Sequence, residues 1–136
     1  MDKELIEKLI EISLEQRSFA YVPYSGFKVG AALLCDDGTV YTGCNIENAA
    51  FTPTNCAERT AIFKAVSEGQ RSFKAICVSA GRNEEPDDFA APCGVCRQVM
   101  MEFCNPDFKI IMAVSKEKYK IVELRELLPL GFRLEA

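Results

Sequence analysis

Cys56, Glu58, Cys93 and Cys96 are the side chains whose types and spacing could do chemistry. Cys56-Ala57-Glu58 is followed well downstream by Pro92-Cys93-Gly94-Val95-Cys96, which supplies three thiolate metal ligands and one carboxylate that is not a ligand. A structural zinc site closes all four positions with protein ligands, whereas a catalytic site keeps one for water. A Glu two residues from a ligand is placed to move that water's proton. The pattern reads as hydrolytic zinc chemistry with one Zn2+ per chain. The sequence contains no His, which removes Ser-His-Asp and Cys-His nucleophilic arrangements and leaves Cys, Asp and Glu as protein ligands.

Three thiolates and a divalent ion sum to minus one, a surplus that opposes ionisation of the bound water. Arg59, three residues after Cys56, is placed to donate hydrogen bonds to the sulfurs and offset it. Competing readings explain less. A structural zinc needs a fourth ligand from Cys35, Cys44, Cys77 or Cys104, and no second Cys-x-x-Cys knuckle is present. A redox pair at Cys93 and Cys96 leaves Cys56 and Glu58 unexplained. A non-catalytic, zinc-stabilised binding module is the reading from another class. The other four Cys sit among apolar neighbours and read as core.

The elements that must position these residues follow from periodicity and turn signals. Asp2 to about Ala20 carries Leu5, Ile6, Leu9, Ile10, Ile12 and Leu14 at helical spacing, an amphipathic first helix. Phe27–Cys35 and Thr39–Cys44, joined by Asp36-Asp37-Gly38, form a hairpin. Gly30 marks a close backbone approach. Cys56–Val66 is a helix, with its N-cap read at Thr54 or Asn55. Phe73–Ala80 is a buried strand, Gly81–Ala91 an acidic loop, and Pro92 to about Phe103 a helix with Pro near its first position. On that helix Cys93 and Cys96 share a face. Phe108–Val114 and Tyr119–Leu124 are strands, and the four residues between them cannot hold a crossover, so they pair antiparallel. A helical turn at Arg125–Leu128, halted at Pro129, and a tail with Phe132 close the chain.

At 136 residues, with 49% hydrophobic content, residues 1–136 are expected to form one domain with its own core. A net charge of −4 offers no general attraction to phosphate backbones or anionic lipid, so neither nucleic acid nor a membrane is an expected partner. No apolar run is long enough to span a bilayer. The N-terminus is charged from Asp2 and lacks the apolar core of a secretory signal. With seven Cys, an odd number, this points to free thiols and metal binding in a reducing cytoplasm.

Four segments, Pro23–Leu33, Gly43–Ala50, Cys56–Ala61 and Pro92–Gln98, with Leu127-Leu128-Pro129 and Phe132, resemble the small cytidine deaminases of nucleoside salvage, the oligomeric three-Cys class of the cytidine/deoxycytidylate deaminase family. Zinc deaminases with Cys ligands and a non-ligand Glu are a known mechanistic class. The resemblance implies a three-layer α/β/α sandwich with a five-stranded mixed sheet, assembled as a homotetramer. It implies that Phe27 packs on the pyrimidine, that Asn45 and Glu47 hydrogen-bond the ribose hydroxyls, and that backbone around Ala57 helps fix the base. Ala49, Phe51 and Phe132 match positions that line a neighbouring subunit's pocket. Without the resemblance, Phe27, Phe51 and Phe132 read as core, and Asn45 and Glu47 as turn residues. Phe51 stands where Tyr is more common in the family, and Thr52-Pro53-Thr54-Asn55 is an unusual approach to the metal helix. The expected reaction is hydrolytic deamination of cytidine and 2'-deoxycytidine, with Glu58 carrying the proton. The alternative is a deaminase of a cytosine-nucleoside antibiotic of the blasticidin S type.

Overall fold

The computed structural model describes residues 1–135. Helix α1 (Lys3–Gln16) starts where the Asp2 carboxylate accepts from the Leu5 N–H, 2.8 Å away. It ends four residues earlier than its periodicity predicts, because Arg17–Phe19 tighten into a 3-10 turn. Strands β1 (Lys28–Cys35) and β2 (Val40–Cys44) form the expected hairpin. Helix α2 (Ala57–Ser67), strand β3 (Phe73–Gly81) and helix α3 (Gly94–Phe103) follow. Strands β4 (Lys109–Ala113) and β5 (Tyr119–Glu123) and a one-turn helix α4 (Leu124–Leu127) complete the order.

One sheet of order β2-β1-β3-β4-β5 is the middle layer. Only β3 and β4 run parallel, because α3 lies between them in the chain and returns the backbone to the same edge. β4 and β5 are antiparallel, as their short connection requires. Side chains alternate across the pleat. Ala31, Leu33, Cys35, Ile76, Val78 and Ile110 face α2 and α3. Ala32, Leu34, Ala75, Cys77 and Ile111 face α1. The result is the three-layer α/β/α arrangement, with α1 alone on one face.

Two glycines set how closely the helices lie on the sheet. A Cβ on Gly30 of β1 would sit 2.0 Å from the Ser13 carbonyl oxygen, and one on Gly43 of β2 would sit 2.3 Å from that of Ala57. Only glycine permits either approach. Gly43 thereby seats the first turn of α2, which carries Cys56, Ala57 and Glu58. Among the described residues, no helix is long and apolar enough to cross a membrane.

Candidate metal centre and its cavity

Both metal-helix caps differ from expectation. Cys56 itself is the N-cap of α2, in place of Thr54 or Asn55, and Cys93 is the N-cap of α3, with Pro92 outside the helix. The Cys93 sulfur accepts from the Cys96 N–H at 3.4 Å, doing with a thiol what Ser or Asp does elsewhere. Each helix thus offers a thiol at its positive end, and α3 adds Cys96 one turn in. The Cys56 and Cys93 sulfurs are 3.6 Å apart. All three sulfurs lie within 4.8 Å of one another, close enough to hold one ion. Three soft thiolates suit zinc and leave a fourth position free of protein ligand.

The electrostatics favour thiolate at Cys56. The hydrogen bond shared with Cys96, then those from Arg59 and Cys93, hold the Cys56 thiol below its ordinary range despite burial. The same shared bond, with burial, holds the Cys96 proton on. A metal arriving here would displace that proton. Arg59 Nη2 donates to the Cys56 sulfur at 3.2 Å, and its Nε is buried without a partner. Burial works against the Arg59 charge, but its bonds to Cys56 and Cys96 outweigh this and hold its pKa above the ordinary value.

Glu58, the second residue of α2, is only 4% exposed. Burial pushes its carboxyl up to about 7; a bond to its own backbone pulls it down, and the charge on Cys56 pushes it further up. A carboxyl poised near neutrality can both take and give a proton at physiological pH.

Cys56, Glu58 and Cys93 face a cavity of about 230 Å³ that also brings together Phe27, Asn45 and Glu47, whereas Cys96 and Arg59 are not among its lining residues. Val29, Thr54, Asn55, Val78, Ala80, Ala90 and Ala91 complete the lining. Sequence reasoning passed over those seven. The local signals were the unusual Thr52-Pro53-Thr54-Asn55 approach to Cys56 and two small residues, Ala90 and Ala91, directly before Pro92-Cys93. Asn45 Nδ2 donates to the Phe27 carbonyl at 2.8 Å, and its Oδ1 accepts from the Val29 N–H at 2.9 Å. Glu47 Oε1 accepts from the Tyr24 and Ser25 N–H groups, and Oε2 from the Ser25 hydroxyl at 2.5 Å. Those bonds hold the Glu47 carboxyl below the usual carboxylate range, the Ser25 hydroxyl contributing most.

Ala57 is fully buried at the start of α2 and does not line the cavity. Ala49, Phe51 and Phe132 are not among the lining residues. Ala49 is exposed, and Phe51 and Phe132 are 77% and 66% exposed, so neither aromatic joins the core that composition alone would assign it to. Phe27, at 37%, sits on the cavity rim. Phe51 also holds a left-handed φ of 63°, rare for an aromatic, in the loop before Cys56. Of the remaining cysteines, Cys35, Cys77 and Cys104 are buried as expected, while Cys44 is half-buried.

The description "Cytidine and deoxycytidylate deaminase zinc-binding region" matches residues 3–112. The chain belongs to this deaminase family. A cytidine deaminase of Sporosarcina psychrophila is 54% identical over 130 residues, covering 96% of this chain and 93% of that protein. One from Halalkalibacterium halodurans is 47% identical over 135 residues, covering 99% and 97%. The crystal structure of cytidine deaminase from Burkholderia pseudomallei superposes with a TM-score of 0.84 at 44% identity, over 92% of this chain and 97% of that one. The family's zinc-binding region spans all three thiols and Glu58, so the cluster and its description agree on the metal. These relatives do not favour the antibiotic-deaminase alternative.

Proposed function

We propose that this chain hydrolyses cytidine and 2'-deoxycytidine to uridine and 2'-deoxyuridine, releasing ammonia. The observation that carries the reading is one cavity lined by the sugar-type polar groups Asn45 and Glu47, the buried carboxyl of Glu58 and two thiols, Cys56 and Cys93, of the three-Cys cluster. The relatives named cytidine deaminase support the same substrate.

When bound by Cys56, Cys93 and Cys96, zinc would supply Lewis-acid polarisation and lower the pKa of a water at the open position toward about 7. Glu58 takes a proton from the attacking water and delivers it to ring N3 as the oxygen adds at C4. It then takes the remaining proton from the new C4 hydroxyl and gives it to the amino group as the C4–N bond breaks and the C4 carbonyl forms, so water and cytidine balance uridine and ammonia. Arg59 spreads positive charge onto the sulfurs. Phe27 offers an apolar face to the pyrimidine.

The polar wall suits a sugar. Asn45 spends one N–H on Phe27 and one lone pair on Val29, which leaves a donor. Glu47 has three of its acceptor sites occupied, which leaves one acceptor. A donor and an acceptor side by side pair with sugar hydroxyls, and a site built on such bonds rejects substrates lacking them. Backbone around Ala57 would help fix the base.

The finer expectations join this reading: a homotetramer whose Ala49, Phe51 and Phe132 complete a neighbouring pocket, acting in pyrimidine salvage in the cytoplasm. Exposed Phe51 and Phe132 are what an isolated chain would show if a partner covered them. The test compares turnover of cytidine, deoxycytidine, free cytosine and a blasticidin S-type antibiotic. The nucleosides should turn over, with free cytosine at least about 100-fold slower in kcat/KM. Preferred turnover of the antibiotic would overturn the substrate assignment.

A further inference from the structure

Arg17 lies outside the metal centre, is 5% exposed, and joins no ion pair among the described residues. Its guanidinium instead donates to four backbone carbonyls: Nε to Lys28 at 3.3 Å, Nη1 to Glu84 at 2.9 Å, and Nη2 to Gly81 at 2.9 Å and Asn83 at 2.5 Å. Burying a cation without a carboxylate is costly, and burial lowers the Arg17 pKa. Arginine's rigid fork of donors is the feature that reaches converging carbonyls from separate segments.

What those carbonyls share is position. Lys28 and Gly81 form the terminal pair of the β1–β3 ladder, and their neighbours Phe27 and Ala80 line the cavity. Arg82, flanked by two of the held carbonyls, places its guanidinium 5.9 Å from the Phe27 ring centroid and donates from Nε to the Ser25 carbonyl at 3.2 Å. Ser25 in turn engages Glu47 through its N–H and its hydroxyl. We propose that Arg17 is a positioning residue for substrate binding, fixing the Phe27 wall through the ladder end and through Arg82. This rests on the assignment of the cavity to a nucleoside.

The test is Arg17→Met, which keeps an apolar stem and removes the fork, measured for zinc content, KM and kcat on cytidine. Zinc per chain should be unchanged, kcat should stay within about threefold, and KM should rise about tenfold or more, the signature of lost binding rather than lost chemistry. Arg82→Met, at an exposed position, should raise KM about threefold. The double variant should be no worse than Arg17→Met alone, because both act on one contact. A folded Arg17→Met with KM within about twofold of the parent overturns the inference. If Arg17→Met does not fold, Arg82→Met decides, and an unchanged KM there overturns it equally. Absence of cytidine turnover in the parent overturns the functional reading and this inference with it, whereas parent turnover with both KM values unchanged overturns this inference alone.

Discussion

Glu58 shows how one residue's environment sets both its chemistry and a stability cost. Its carboxyl ionises near 4.5 in an unfolded chain but near 7 in the metal-free fold. A raised carboxyl pKa means that the unfolded state loses its proton first as pH rises. Stability therefore falls between about pH 4.5 and pH 7 and the loss is constant above, by up to about 3 kcal/mol. Metal-free Glu58→Gln should lack this loss, so its denaturation midpoint should exceed the parent's at pH 8 and approach it at pH 4.5. Thiol reactivity offers a second residue-scale test. Burial holds Cys35 up at about 11 and Cys77 and Cys104 at about 12, so they should react slowly at pH 8. Chelating the metal should add Cys56, whose pKa is held down, as a fast-reacting thiol in titration with a chromogenic disulfide, while Cys96, fully buried with its proton held on, should stay slow. The types and spacing of the metal residues were legible in the sequence because ligand chemistry tolerates few alternatives. The seven further lining residues were not, because Val29, Val78 and Ala80 have nothing to distinguish them from core until the strands are assembled.

At the scale of elements, the contact between β2 and α2 carries the metal site. Gly43→Ala would force a Cβ to within 2.3 Å of the Ala57 carbonyl, moving the turn that holds Cys56 and Glu58. We expect zinc affinity to fall about tenfold or more, read by competition with a chromophoric chelator. Gly30→Ala presses on α1 at the opposite face, and should lower the melting temperature more than the zinc affinity. The hairpin, the two metal helices and the antiparallel last strands were readable from alternation, turn residues and connection length. The helix starts were misplaced by one or two residues. Thr54, Asn55 and Pro92 have the side chains of ordinary helix starts, but the helices begin on the thiols, where Cys93 caps through sulfur. The early end of α1 was also hidden, since Arg17–Phe19 stay helical but tighten into a 3-10 turn.

For the whole molecule, one chain leaves Phe51 and Phe132 in solvent and outside the cavity lining. Nothing in the order of residues along a chain distinguishes an aromatic awaiting a partner from one in the core, and only the family resemblance pointed to the former. If the active site is completed between subunits, Phe51→Ala and Phe132→Ala should lower the solution mass below that of the parent, and activity should fall with the fraction dissociated. Light scattering across a dilution series, run with the activity assay, checks this.

The central claim is that a metal held by Cys56, Cys93 and Cys96 and a proton carried by Glu58 together deaminate a cytosine nucleoside. The most direct measurement is cytidine absorbance loss by the parent and by Glu58→Gln, with zinc determined on the same samples. The account predicts about one zinc per chain in both, turnover by the parent, and a loss of at least about 100-fold in the variant. A Glu58→Gln protein that retains zinc and parental turnover would contradict it.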